Sequence, residues 1–119
     1  MPKTVNTLEW SKTLGKGQRM SYEEAKRAVA ALGNGWRLPS VQELLSIVDY
    51  TRFEPAIDIE RFPDTKSGAY WTGTAPAWDN QKAPRAAWVV FFNSGISYCS
   101  ARDDRSAFVR AVRSLPAGQ

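Results

Sequence analysis

An α+β domain built on an antiparallel sheet is the fold class this chain predicts, and three observations predict it. Two segments in the first half each place a serine three residues before a glutamate, ahead of apolar residues at helical spacing. The second half changes to strand-like runs, two of them joined by Asn93-Ser94-Gly95. Helices and strands are thus segregated along the chain rather than alternating. The 119 residues are the length of one ordinary domain, taken as 1–119. Hydrophobic residues at 43% against 24% charged argue for a packed core instead of disorder.

Taken in order, Leu8-Glu9-Trp10-Ser11 reads as a short first strand. Gly15-Lys16-Gly17 follows as a plain turn, since it lacks the further glycine and the long preceding strand of a phosphate loop. Ser21 and Glu24 form a capping box, and Met20 is placed to staple onto Ala25. Tyr22, Ala25, Val29 and Leu32 then share one face, which predicts a helix over 22–32 closed by Gly33-Asn34-Gly35. Trp36-Arg37-Leu38-Pro39 is extended, because the residue before a proline avoids the helical region. Ser40 and Glu43 make a second capping box, and Val41, Leu44, Leu45 and Val48 predict a helix over 41–49.

Residues 51–69, with Pro55, Pro63 and Gly68, read as an irregular loop. A strand is expected over 70–74, then a polar loop over 75–86. Residues 87–92 form a strong strand with Trp88, Val90 and Phe92 on one side and Val89 and Phe91 on the other. Apolar side chains on both faces mark it as central and buried on both sides. Asn93-Ser94-Gly95 is a hairpin turn with the glycine placed for positive φ. A return strand covers 96–100, a charged loop 101–106 and a last strand about 107–114, after which Pro116, Ala117 and Gly118 fray.

Missing residue types restrict the chemistry. The chain has no histidine, which removes the commonest general base and the commonest metal ligand together. One cysteine permits no intrachain disulfide and, without histidine, no zinc site. Cys99 lies in an expected strand and reads as a buried structural thiol. No catalytic residues, metal or cofactor are expected. Asp103 and Asp104 are flanked by Arg102 and Arg105, a self-compensating run that supplies too few oxygens for calcium unless Asp79 and Asn80 join it. Residues 1–20 carry no apolar run of a signal peptide, and no stretch approaches the ~18–20 apolar residues of a membrane span. The expectation is synthesis in the cytoplasm, with association to a virion left open.

Binding chemistry is concentrated in two loops. Trp78 stands in the polar loop beside Asp79, Asn80, Lys82 and Arg85, and an aromatic face among amide, carboxylate and cation suits a sugar or peptide. The competing reading folds Trp78 back over the core. The net charge of +4 leans toward acidic partners.

With these elements placed, the chain resembles the Lcl C-terminal domain family over about residues 8–114. The resemblance runs through Leu8-Glu9-Trp10, Ser21-Tyr22-Glu23-Glu24-Ala25 and Trp36-Arg37-Leu38-Pro39-Ser40 with Glu43-Leu44. It continues through Val48-Asp49-Tyr50-Thr51-Arg52, Pro55-Ala56-Ile57-Asp58, Phe62-Pro63 and Tyr70-Trp71-Thr72. Ala87-Trp88-Val89-Val90-Phe91, Gly95 and the closing Val109-Arg110-Ala111-Val112-Arg113 complete it.

The resemblance implies a C-type-lectin-like fold: two helices packed on a twisted antiparallel sheet, with the first and last strands paired. It also implies adhesion to sulfated polysaccharides, or receptor binding of the kind seen at the variable tips of phage and bacterial proteins. The remoter formylglycine-generating enzymes share the helix-opening block, but this chain lacks their paired cysteines. It also lacks the calcium-lectin ligand motifs, and Trp78-Asp79-Asn80 inverts one of them. By the same resemblance Trp36, Leu38, Trp71 and Trp88 are core. Arg37, Arg110 and Arg113 are expected either to pair with carboxylates such as Asp49 or Asp58 or to sit free on the surface.

The function expected is therefore non-enzymatic recognition of a glycan, sulfated or not, or of a protein. Its binding face would be residues 75–86 and 99–106, with Trp78, Asp79, Asn80, Lys82, Arg85, Arg102 and Arg105 in contact. The second expectation is a small phage or mobile-element protein that inhibits, or assembles with, a host or virion protein. Membrane insertion and nucleic-acid binding are disfavoured, and homo-oligomerisation is left open.

Overall fold

A computed structural model of the chain describes residues 7–75, 86–101 and 106–115. The segregation read from the sequence holds: β1 (Thr7–Thr13), α1 (Tyr22–Ala30) and α2 (Val41–Leu45) precede β2 (Ala69–Trp71), β3 (Ala86–Phe91), β4 (Ile96–Ala101) and β5 (Arg110–Leu115). Strands β2, β3 and β4 form one antiparallel sheet in that order, and β1 pairs antiparallel with β5 in a second. The architecture is the α+β, C-type-lectin-like one, with the first and last strands joined. Among the described residues no helix is long and apolar enough to cross a membrane.

Both helices begin where their capping boxes place them. The Ser21 hydroxyl accepts from the Glu24 amide, and Glu24 accepts from the Ser21 amide; Ser40 and Glu43 do the same. Each box satisfies two of the four amides a helix start leaves open. The ends fall short of expectation, at Ala30 instead of 32 and Leu45 instead of 49. Leu32 therefore leaves the apolar face and is 37% exposed. Gly15–Gly17 is a single tight turn after β1, with all three residues in the left-handed region at φ +63, +56 and +76.

The three-stranded sheet is apolar on both faces because two separate clusters pack on it. On one face Tyr22, Ala25 and Val29 of α1 meet Ala69, Trp71, Ala87 and Val89. On the other, Leu44 of α2 with Ile57 and Phe62 meets Tyr70, Val90 and Phe92. The alternation of β3 thus feeds both clusters, as its two-sided apolar pattern predicts. Tyr22 and Trp71 stack edge to face at 5.1 Å, and the buried indole N–H of Trp71 donates to the Met20 carbonyl at 3.0 Å. Trp36 and Leu38 pack on the first cluster while staying partly exposed, and Trp88 is only half-buried, so of the four expected core residues Trp71 alone is fully buried.

Residues 107–109 stitch the two sheets together. Trp71 donates to the Phe108 carbonyl and Phe108 donates to that of Ala69, while Met20 and Ala107 exchange bonds. The last expected strand therefore splits into this stitch and β5. At the far end of the β3–β4 hairpin, Gly95 has φ +85, and a Cβ there would lie 2.7 Å from Val48. Glycine meets both demands.

Candidate functional site

The expected site residues Trp78, Asp79, Asn80, Lys82, Arg85, Arg102 and Arg105 lie outside the described residues, as do Asp103 and Asp104 and the terminal Pro116, Ala117 and Gly118. The framework from which their loops depart is described. Ala86, where the first loop ends, stands opposite Ala101, where the second begins. The start of the first loop is clamped to this frame. Thr72 is fully buried; its amide and hydroxyl both donate to the Trp88 carbonyl, at 3.1 and 2.7 Å. Trp88 in turn donates to the Thr74 carbonyl at 2.8 Å. The Thr74 hydroxyl accepts from the Val41 amide at 3.0 Å, and Gly73 donates to the Pro39 carbonyl at 2.8 Å. The first turn of α2 thus anchors this end of the sheet.

Cys99 sits opposite Trp88 in the register and is half-buried rather than fully so. Burial pushes its thiol pKa up, which disfavours the nucleophilic thiolate. Among the described residues no three His, Cys, Asp or Glu side chains converge as a metal centre would need.

The described surface has a second candidate that sequence reasoning missed. The outer side of β1 and residues 61–66 enclose a cleft of about 360 Å3 lined by Trp10, Lys12, Arg61, Phe62, Pro63, Asp64 and Arg110. It adjoins a pocket of about 230 Å3 lined by Lys12, Thr13, Lys16, Gly17, Asp64 and Lys66. Lys12 and Asp64 belong to both. Trp10 and Phe62 stack edge to face at 6.4 Å, and the guanidiniums of Arg61 and Arg110 stand 5.0 and 5.1 Å from the Phe62 ring centre. Cation–π attraction holds the floor of the cleft together. Only the basic pair Lys12 and Lys16 beside Gly15 and Gly17 hints at this region in the sequence, because Lys66 comes from a distant segment.

Arg110 is the buried hub beneath the cleft. It donates to the Ser11 carbonyl at 2.7 Å, to the Thr65 hydroxyl at 2.9 Å and to Asp64 at 3.2 Å. The Thr13 amide also donates to Asp64. Burial pushes the Asp64 pKa up, but the Thr13 amide and Arg110 outweigh it and hold the carboxyl below its ordinary value. The arginines do have carboxylate partners, but not the expected ones. Arg37 takes Glu43 in a bidentate pair at 2.7 Å, Arg110 takes Asp64, and Arg113 takes Glu9 at 2.7 Å. Asp49 and Asp58 are held instead by Arg52.

Fold and framework define the class: a small α+β domain of C-type-lectin-like build. The family model of the Lcl C-terminal domain matches residues 3–113, and the chain belongs to that family. No curated protein matches the chain at a significant level.

Proposed function

We propose that this domain is a non-enzymatic recognition module that binds a glycan or a protein surface through residues 75–86 and 99–106. The observation that carries the reading is the pairing of Ala86 with Ala101, which sets the departure points of the two loops side by side. A rigid sheet end presenting adjacent variable-length loops is a common way to build a binding face. The residues those loops contain, Trp78 with Asp79, Asn80, Lys82, Arg85, Arg102 and Arg105, combine one large aromatic with donors and cations. The absence of histidine from the chain weighs against hydrolytic or transfer chemistry in the same place.

A glycan array that includes sulfated members, run beside a pull-down from cell lysate, tests the proposal. Saturable capture of one ligand class, returned chemically unchanged and lost in Trp78→Ala, is the expected result. Covalent conversion of the captured ligand would overturn it, as would capture indifferent to every substitution in the two loops.

A further inference from the structure

We propose that the open edge of β4 is an interface for a second copy of this chain, strand against antiparallel strand. The register shows which groups face outward. Phe92 donates to the Gly68 carbonyl and Thr72 to that of Trp88, so Trp88, Val90 and Phe92 bond toward β2. Val89 and Phe91 therefore bond toward β4, where their partners are Tyr98 and Ile96. That leaves the backbone N–H and C=O of Ser97 and Cys99 pointing away from the sheet, with no strand beyond them among the described residues. The opposite edge of the same sheet is closed by the chain itself, because Trp71 donates to the Phe108 carbonyl and Phe108 to that of Ala69.

Edge strands are ordinarily guarded by charge, proline or a bulge. From Ala86 to Ala101 the hairpin has no charged residue and no proline, and its pairing runs without a register shift. By contrast, β1 carries Glu9 and Lys12 and a register shift between Trp10 and Thr13. The unguarded edge is also apolar. The four most exposed large hydrophobics among the described residues are Phe53, Tyr50, Tyr98 and Ile96, from 72% down to 51%. Ile96 and Tyr98 stand on β4 itself, and the other two lie at its turn. The Tyr50 hydroxyl donates to the Gly95 carbonyl at 3.2 Å, and the amide of Glu54, next to Phe53, donates to the Asn93 carbonyl at 3.0 Å.

This edge is complementary to itself. Tyr98 stands between the two outward residues, so a two-fold axis beside it sets Ser97 opposite Cys99 of the second copy, and Cys99 opposite its Ser97. Each such pair exchanges both N–H···O bonds. The two Tyr98 side chains then meet as a non-hydrogen-bonded pair, the closer kind, each braced edge to face by Phe91 at 5.5 Å. An edge without charge also lets two chains of net charge +4 approach there without opposed lysines or arginines.

Sedimentation equilibrium of the full chain under reducing conditions, from micromolar to millimolar concentration, tests the interface, with amide hydrogen exchange followed over the same range. A reversible monomer–dimer equilibrium is expected. The Ser97 and Cys99 amides should gain protection as dimer forms, while those of Ile96 and Tyr98 are protected throughout. Ser97→Pro removes an outward donor and spares the bonds to β3, so it should weaken dimerisation about tenfold or more at a nearly unchanged melting temperature. Tyr98→Lys and Tyr98→Glu should each be monomeric alone and form a heterodimer when mixed, because position 98 meets itself across the axis. Failure of that mixture to associate would overturn the pairing. A monomer at every concentration would overturn the second copy as occupant, and so would a dimer untouched by Ser97→Pro. Ser97 and Cys99 amides already protected at the lowest concentration would mean that the chain covers its own edge, which overturns the proposal as well. Protection gained only on adding a valine–threonine repeat peptide would assign the edge to a foreign strand instead.

Discussion

Arg110 and Asp64 meet at 3.2 Å across an unequal boundary, with 3% of the arginine side chain exposed against 33% of the aspartate's. The arginine is in effect a core residue of β5, and its charge is answered from the 61–66 segment. Removing a member of a buried ion pair strands every group that it held, and Arg110 holds more than Asp64 alone. Arg110→Ala should therefore cost about 3 kcal/mol or more, because Thr13, Thr65 and the Ser11 carbonyl lose their donor as well. Arg113→Ala, at the half-exposed pair with Glu9, should cost about 1 kcal/mol or less. Urea midpoints of the two variants give the comparison; equal costs would contradict the burial argument.

Acid should destabilise the fold through the same residues. Asp64 is held below its ordinary carboxyl value, and so is Glu43, chiefly by the Arg37 guanidinium against the opposing effect of burial. A carboxyl whose pKa is lower folded than unfolded contributes stability above its unfolded pKa and loses it as pH falls through the folded one. Urea midpoints should hold level from pH 7 to about 5 and decline below about 4. Asp64→Asn should flatten that decline while lowering the plateau. An unchanged acid limb would remove Asp64 from the account.

The two capping boxes should contribute alike. Ser21→Ala and Ser40→Ala each remove an acceptor from an N3 amide, at 3.2 and 3.1 Å, and each should cost roughly 1 kcal/mol. Together they should cost about 1–3 kcal/mol, since the sites share no partner. Chemical denaturation of the single and double variants checks both values and their additivity.

Cys99 should behave as a slow thiol. With its pKa raised by burial, it should react with a disulfide reagent near neutral pH several-fold more slowly than in the unfolded chain. Cys99→Ser should cost roughly 1 kcal/mol or less and leave binding intact. Rapid modification of the folded protein would mark an activated thiol.

What the sequence carried locally came through, and what depends on distant residues did not. Capping boxes are four-residue signals, so both helix starts were legible at Ser21 and Ser40. The helix ends were not, because apolar spacing continues through Leu32 and Val48 after the helical bonds stop. The alternation of β3 announced a strand buried on both faces. Which cluster each face meets depends on α1 and α2 docking from opposite sides, and no local pattern records that. The arginines followed the same logic. The family resemblance offered Asp49 and Asp58 as partners, yet Arg52 is three residues from Asp49 and takes it first. Arg37 had its partner six residues on in Glu43, already singled out for its cap. Lys12 and Lys16 alone hinted at the pocket beside Asp64, because β1 and the 61–66 segment, some fifty residues apart, form it only in the folded chain.

The most direct measurement of the proposed function is a titration of the captured ligand against Trp78→Ala and Lys82→Ala, with melting curves alongside. A central aromatic anchor should cost roughly 2 kcal/mol or more of binding when truncated, and a rim lysine less than about 1. For an anionic ligand the affinity should also fall with salt, since exposed charges are screened over about 8–10 Å at physiological ionic strength. Both variants should melt with the parent chain. If Trp78→Ala instead melts the domain while the folded fraction keeps its affinity, Trp78 belongs to the core and the recognition face lies elsewhere.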